Sequence, residues 1–254
     1  MKHFNTKNLR KVPEITAVFW VAKLLTTAMG EATSDFAVFR INEYLAVVLG
    51  AICLGIALVI QFSVKKYIPW IYWLVVSMVA IFGTMAADAL HIQLGIPYIV
   101  TTILFAITLL AVFVFWHKSE KTLSIHSINA PKRELFYWLT VLATFALGTA
   151  AGDLTATSFG LGYFSSAILF SGLIAIPIVG YYSFNLNGII TFWTAYILTR
   201  PIGASFADWM DKSKNLGGLG WNSGQVAICL TVIIAMFVVY MMKNRKEIKR
   251  EDRF

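Results

Sequence analysis

The sequence predicts an all-α integral membrane protein, with eight transmembrane helices arranged as four parallel helical-hairpin repeats. Three observations carry this reading. The chain is 58% hydrophobic and 13% charged, with a mean hydropathy of +0.72, whereas a soluble domain carries roughly 25% charged residues. Eight apolar stretches reach the length a membrane span requires, at about 14–36, 43–64, 69–91, 98–116, 135–158, 162–182, 187–210 and 222–242. One spacing also recurs four times: a tryptophan, a glycine ten residues on, and an aspartate five residues later. The sets are Trp20/Gly30/Asp35, Trp73/Gly83/Asp88, Trp138/Gly148/Asp153 and Trp193/Gly203/Asp208. Each tryptophan follows another aromatic residue (Phe19, Tyr72, Tyr137, Phe192), and a small residue precedes each aspartate (Ser34, Ala87, Gly152, Ala207).

Fixed-period self-similarity of this kind marks a repeat architecture. The units run about 12–68, 69–133, 134–185 and 186–242, within a single polytopic membrane domain that ends in a basic tail at 243–254. Each unit pairs a motif helix with a plain one. An even number of spans per unit gives all four units one orientation, so they are related by an axis along the membrane normal. Continuously apolar runs exclude a barrel of alternating strands. The turn between the two helices of a unit also repeats, as Leu94-Gly95-Ile96-Pro97-Tyr98, Phe159-Gly160-Leu161-Gly162-Tyr163 and Gly217-Gly218-Leu219-Gly220-Trp221, while the first unit departs with Arg40-Ile41-Asn42-Glu43-Tyr44. Glycine suits a helix stop and reversal there. The plain, even-numbered helices hold no ionisable side chain besides tyrosine and the cysteines Cys53 and Cys229, for which small apolar packing is expected. The motif helices hold every intramembrane charge, so odd helices are expected inside and even helices outside, against lipid.

Orientation follows from Lys and Arg. Lys2, Lys7, Arg10, Lys11, Lys65, Lys66, Lys118, Lys121, Lys132, Arg133 and the tail's Lys243, Arg245, Lys246, Lys249, Arg250 and Arg253 fall on one side, and Arg40, Lys212 and Lys214 on the other. Both termini are therefore expected in the cytoplasm. The net charge of +8 reflects this bias and attraction to anionic lipid, not nucleic-acid binding. No cleavage site follows a short apolar stretch, so the first span is expected to be retained.

On the motif helices a small-residue stripe contains Gly30, Gly83, Gly148, Gly152 and Gly203, a pattern that lets helix backbones approach closely. Trp20, Trp73, Trp138 and Trp193 are expected to be interface anchors. Five acids lie in or near the spans: Glu31, Asp35, Asp88, Asp153 and Asp208. One turn before each aspartate, on its own face, stands Glu31, Thr84, Thr149 or Ala204, so three units offer an oxygen pair. A carboxylate in a membrane must be paired, protonated, hydrated or bound to a cation. The plainer alternative is that the aspartates cap helix ends near the outer interface. Lys23 and Arg200 are candidate gating or counter-ion residues, and Pro201 loosens the backbone beside the latter.

Carboxylate and hydroxyl ligands select hard cations such as Mn²⁺, Mg²⁺, Ca²⁺ or Na⁺. The expected function is a secondary transporter that exchanges such an ion for protons. The alternatives are an exporter of a small organic cation and a non-transporting sensor or assembly protein. No P-loop suggests ATP, and no cofactor is expected. Ala151-Gly152-Asp153 lacks the first glycine of the GxGD protease signature, and the repeat already accounts for Asp153, so an enzyme is not expected. Expected partners are membrane lipid, the small inorganic or organic cation and, as an open alternative, a second copy of the chain.

The runs FW-x9-GEATSD, YW-x9-GTMAAD, YW-x9-GTAAGD and FW-x9-GASFAD resemble a group of bacterial membrane-anchored proteins built from four tandem two-span repeats of unknown function. The likeness covers roughly residues 12–242. It implies an eight-span protein of a bacterial cytoplasmic membrane and brings no activity with it.

Overall fold

The computed structural model describes residues 10–251, with side chains through 244. Lys2, Lys7 and Arg253 of the charge pattern lie outside the described residues, and Arg245, Lys246, Lys249 and Arg250 are described as backbone only. All the regular elements described are helical: α1 (Ala17–Arg40), α2 (Glu43–Ser63), α3 (Pro69–Asp88), α4 (Tyr98–Glu120), α5 (Pro131–Asp153), α6 (Tyr163–Leu173), α7 (Ala175–Phe184), α8 (Gly188–Asp211) and α9 (Ser223–Glu251), with two short 3₁₀ turns beside the π-turns discussed below. Six segments are long and apolar enough to cross a membrane: α2, α3, α4, α5, α6 with α7, and α9. The motif helices α1 and α8 are as long but less apolar. They carry Lys23, Glu31, Asp35 and Arg40, and Arg200, Asp208 and Asp211, most of which the other helices bury.

Helix ends follow local chemistry. Thr16 caps α1 by accepting from the Phe19 amide, Asn42 caps α2, and Asn187 caps α8. Proline opens α3 and α5 at a position where its missing N–H matters least. Gly95 and Gly160 take φ of +65° and +69° in the matching turns of the second and third units, a conformation L side chains resist. The expected sixth span is broken at Ile174 into α6 and α7. Pro177 has no N–H for the carbonyl of Leu173 and crowds it, which interrupts the ladder there.

The four motif helices α1, α3, α5 and α8 form a closed ring, each packed on the next and α8 on α1. The repeated glycines set the approach. Gly30 lies against Ala80, Gly83 against Phe145, Gly148 against Arg200, and Gly203 against Thr27. In every case the glycine of one unit meets the residue three before the glycine of the next, so the ring has quasi-four-fold symmetry. Gly152 also packs on α8, near Ser205. A methyl group at Gly83 would stand 2.7 Å from Phe145 Cβ. Gly83→Ala is therefore expected to destabilise by about 1–3 kcal/mol through overpacking. Gly55→Ala on α2, where nothing lies within 4 Å, should be neutral or slightly stabilising. Paired unfolding titrations of the two variants check this, and equal losses would contradict it.

The plain helices do not fold back chiefly on their own partners, as a hairpin repeat implies. α2 packs on α3, α4 on α5, α6 on α8, and α9 on α1, each covering the motif helix of the following unit. A plain helix crosses to the next groove because the small-residue stripes draw the motif helices together and leave their outer seams to be filled. The spanning windows of α3 and α5 are 61% and 67% buried, against 22% for α2 and 17% for α4 and α9. Cys53 and Cys229, expected in packing, instead lie on exposed faces of α2 and α9, where thiols sit readily among apolar surface.

The tryptophans also depart from expectation. Trp73, Trp138 and Trp193 are buried and Trp20 is half-buried. Each ring packs on the aromatic residue of the preceding unit: Trp73 on Phe19 (5.8 Å between centroids), Trp138 on Tyr72 (5.5 Å), Trp193 on Tyr137 (6.2 Å) and Trp20 on Phe192 (5.7 Å). The paired aromatic motif thus staples one end of the ring shut instead of anchoring it to headgroups. Interdigitated aromatic pairs of this kind add stabilisation beyond their burial.

Candidate functional site

Because residues four apart share a helix face, each motif helix presents an inward row at eleven, seven and three residues before its glycine and one and five after it. The four helices stack these rows into layers. An aromatic layer of Phe19, Tyr72, Tyr137 and Phe192 lies at the tryptophan end, where the Tyr72 and Tyr137 hydroxyls are 2.5 Å apart. Lys23, Val76, Val141 and Tyr196 follow, then Thr27, Ala80, Phe145 and Arg200, and nearly all of these are fully buried. Glu31, Thr84, Thr149 and Ala204 make the next layer, and the four repeat aspartates the last.

Arg200 occupies the centre and is 0% exposed. Its Nη2 donates to Glu31 Oε2 at 2.5 Å, to Thr149 Oγ1 at 2.5 Å and to Thr84 Oγ1, and its Nη1 donates to the Thr27 carbonyl at 3.2 Å. Thr84 also donates to Glu31, at 3.2 Å. Three of the four units thus place an oxygen on one guanidinium, and the fourth, Ala204, leaves room for it. Arg200, a candidate gating or counter-ion residue, pairs with Glu31 in this conformation. Thr84 and Thr149, expected as ion ligands, instead serve Arg200 in this conformation, because a buried guanidinium must satisfy its donors nearby.

Lys23 lies in the layer toward the aromatic end, 1% exposed, with Nζ 4.0 Å from the centre of the Phe145 ring and 4.5 Å from that of Tyr196. Its amine makes no hydrogen bond among the described residues and is held by ring faces.

The aspartate layer is electrically uneven. Lys212, at the end of α8, forms ion pairs with Asp35 and with Asp208, the latter at 3.4 Å. Burial opposes its charge, but Asp208 and Asp35 outweigh that and hold the ammonium protonated well above the usual lysine range. The side-chain carboxylates of Asp88 and Asp153 have no hydrogen bond or ion pair among the described residues. Directly after each of these two, and not after Asp35 or Asp208, the helix widens into a π-turn, at Ala89–Gln93 and Leu154–Ser158. Such turns recur at functional positions. In the third unit the hydroxyls of Thr155 and Thr157 take up carbonyls there, at Gly152 (2.9 Å) and Asp153 (2.6 Å).

Carboxylate oxygens of Glu31, Asp35 and Asp88 lie within 4.8 Å of one another, as do those of Asp35, Asp208 and Asp211. Asp153 belongs to neither group. Reading the sequence missed Asp211 and the inward role of Lys212, since both stand outside the repeat motif. It also missed Glu134, a fully buried acid at the opposite end, whose signal was a lone acid in the first turn of an apolar helix. A cavity of about 950 Å³ between α1, α7 and α8, beside Trp20, Leu24, Ile178 and Phe192, contains none of the acids.

A family model described as Repeat of Unknown Function (DUF347) matches residues 18–67, 71–122, 136–186 and 191–247. Each matched stretch starts two residues before a repeat tryptophan. No curated protein and no solved structure was found to match the chain.

Proposed function

The chain belongs to the family of proteins built from the DUF347 repeat, and from that premise we propose that it is an eight-span transporter that exchanges a hard metal cation for protons. One observation carries the reading. Glu31, Asp35 and Asp88 bring carboxylate oxygens within 4.8 Å of one another, and the Asp88 carboxylate has no hydrogen bond or ion pair among the described residues. With Arg200 on Glu31 and Lys212 on Asp35, two positive charges offset three carboxylates, and the excess negative charge favours a further cation or a proton; oxygen-only ligands favour Mn²⁺, Mg²⁺, Ca²⁺ or Na⁺. Proton and metal compete for the same oxygens, which is the coupling an exchanger needs.

In this reading α1 and α8 also span, shielded from lipid by the other helices, and the quasi-four-fold axis runs along the membrane normal. Lys65, Lys66, Lys118, Lys121, Lys132 and Arg133 lie at the tryptophan end, so that end faces the cytoplasm of a bacterial cell with both termini, and the aspartate layer faces out. Arg200 and its three oxygen partners divide the acid end from the aromatic end. Transport then requires the Arg200–Glu31 pair to open.

The test is proton flux in liposomes carrying internal pH and metal dyes, with Mn²⁺, Mg²⁺, Ca²⁺ and Na⁺ added in turn. Asp35→Asn and Asp88→Asn are expected to reduce ion-dependent proton flux to background, and Asp153→Asn to reduce it less. Folded wild-type protein that moves protons with none of these ions sinks the exchanger reading. A second reading, export of a small organic amine, draws on the Lys212 ammonium seated between Asp35 and Asp208. Flux driven only by an alkylammonium would favour it.

A further inference from the structure

We propose that Asp35, Asp208 and Asp211 form a second divalent-cation site, which Lys212 fills with its own ammonium in the conformation described here. The site shares Asp35 with the group of Glu31 and Asp88, and the inference does not depend on exchange at that first group. One carboxylate oxygen from each residue lies within 4.8 Å of the other two. Oxygens at that separation fit around an ion with metal–oxygen distances of about 2.3–2.6 Å, the range of Ca²⁺.

Two further features point to a ligand. Asp208 is 2% exposed and its Oδ1 meets the Lys212 ammonium at 3.4 Å without a hydrogen bond, while the buried Oδ1 and Oδ2 of Asp211 accept no hydrogen bond among the described residues. A cation already sits among these oxygens: the Lys212 ammonium, paired with Asp35 and Asp208. One positive charge faces three carboxylates, so the group has room for a second.

The pair is also an addition to the repeat. The positions equivalent to Asp211 are Val38, His91 and Ala156, and those equivalent to Lys212 are Phe39, Ile92 and Thr157. Only the fourth unit supplies an extra acid and, next to it, the cation that covers it. The Lys212 backbone is fixed, its N–H donating to the Asp208 carbonyl at 2.9 Å and its carbonyl accepting from Gly220 at 2.9 Å. Its side chain is 24% exposed and rotates about four methylenes. The ammonium can therefore leave for solvent while the chain around the site stays in place, and a metal ion arriving from the same side displaces it.

Equilibrium dialysis of purified protein against Ca²⁺, with bound ion counted per chain, tests this. Lys212→Met is expected to hold one more Ca²⁺ than the wild type, and the Lys212→Met/Asp211→Asn double variant to lose that extra ion. Lys212→Arg should bind as the wild type does. The difference between variant and wild type decides the matter, whatever the wild type itself binds, so loss of the exchanger reading leaves this test intact. Equal counts in Lys212→Met and wild type, or an extra ion that persists in the double variant, overturn the site. If Lys212→Met does not purify folded, the wild type decides: Ca²⁺ should raise labelling of Lys212 by an amine-reactive reagent several-fold, and an unchanged rate overturns the proposal.

Discussion

Arg200→Met is expected to cost the folded protein roughly 3–5 kcal/mol, the usual penalty for leaving half of a buried ion pair. The guanidinium satisfies Glu31, Thr84, Thr149 and the Thr27 carbonyl at once. Methionine fills part of the volume and satisfies none of them. Glu31, 3% exposed, is then left with the Thr84 hydroxyl alone. Replacing both charges differs from replacing one, because a neutral pair leaves no uncompensated ion behind. Arg200→Met/Glu31→Gln should therefore recover most of the loss, giving a large coupling energy in a double-mutant cycle. Steric-trap or SDS unfolding in bicelles measures all three variants. Additive losses would mean that the two side chains act separately and that the central pair is incidental to stability.

The second large effect is expected at the other end of the ring. Glu134→Leu should destabilise by about 3 kcal/mol or more. Glu134 is 0% exposed and takes Lys11 Nζ at 2.5 Å on one oxygen and Gln61 Nε2 at 2.8 Å on the other. Leucine leaves a buried ammonium with only the Phe62 carbonyl at 3.4 Å, and a buried amide donor with nothing. The segment before α1 is held by this pair, with backbone bonds from Lys11 to Ile128 and from Tyr67 to Arg10. Protease cleavage within residues 10–16 should accelerate before global unfolding is detectable. A loss of stability with no change in that cleavage rate would contradict the anchoring role.

The repeat told more about packing than about chemistry. A spacing shared by four units forces equivalent contacts, so Gly30, Gly83, Gly148 and Gly203 could be read as points of close approach, and they are. Placing Arg200 beside Glu31 was out of reach, because a sequence separation of 169 residues leaves no local trace. That Glu31 and Asp35 each meet a cation from the fourth unit was hidden for the same reason. The tryptophans were misread because an aromatic residue near a span end looks the same whether it faces headgroups or a neighbouring ring. Crossing of the plain helices to the next unit was equally hidden, since chain adjacency favours the hairpin. Asp211 and the inward turn of Lys212 leave no trace in the repeat, because they are where the fourth unit departs from it.

The ring closes between its first member and its last. Glu31 leaves the ribosome 169 residues ahead of the arginine that neutralises it. At ordinary rates of elongation that interval is roughly ten to thirty seconds, many orders of magnitude longer than helix formation takes. Throughout it α1 has formed but keeps an acid and an amine without their final surroundings, and the helix that covers its outer face, α9, does not yet exist. Synthesis therefore passes through a long-lived state in which the first unit waits, exposed to proteases and to mispairing, and the most polar contact in the molecule is among the last to form.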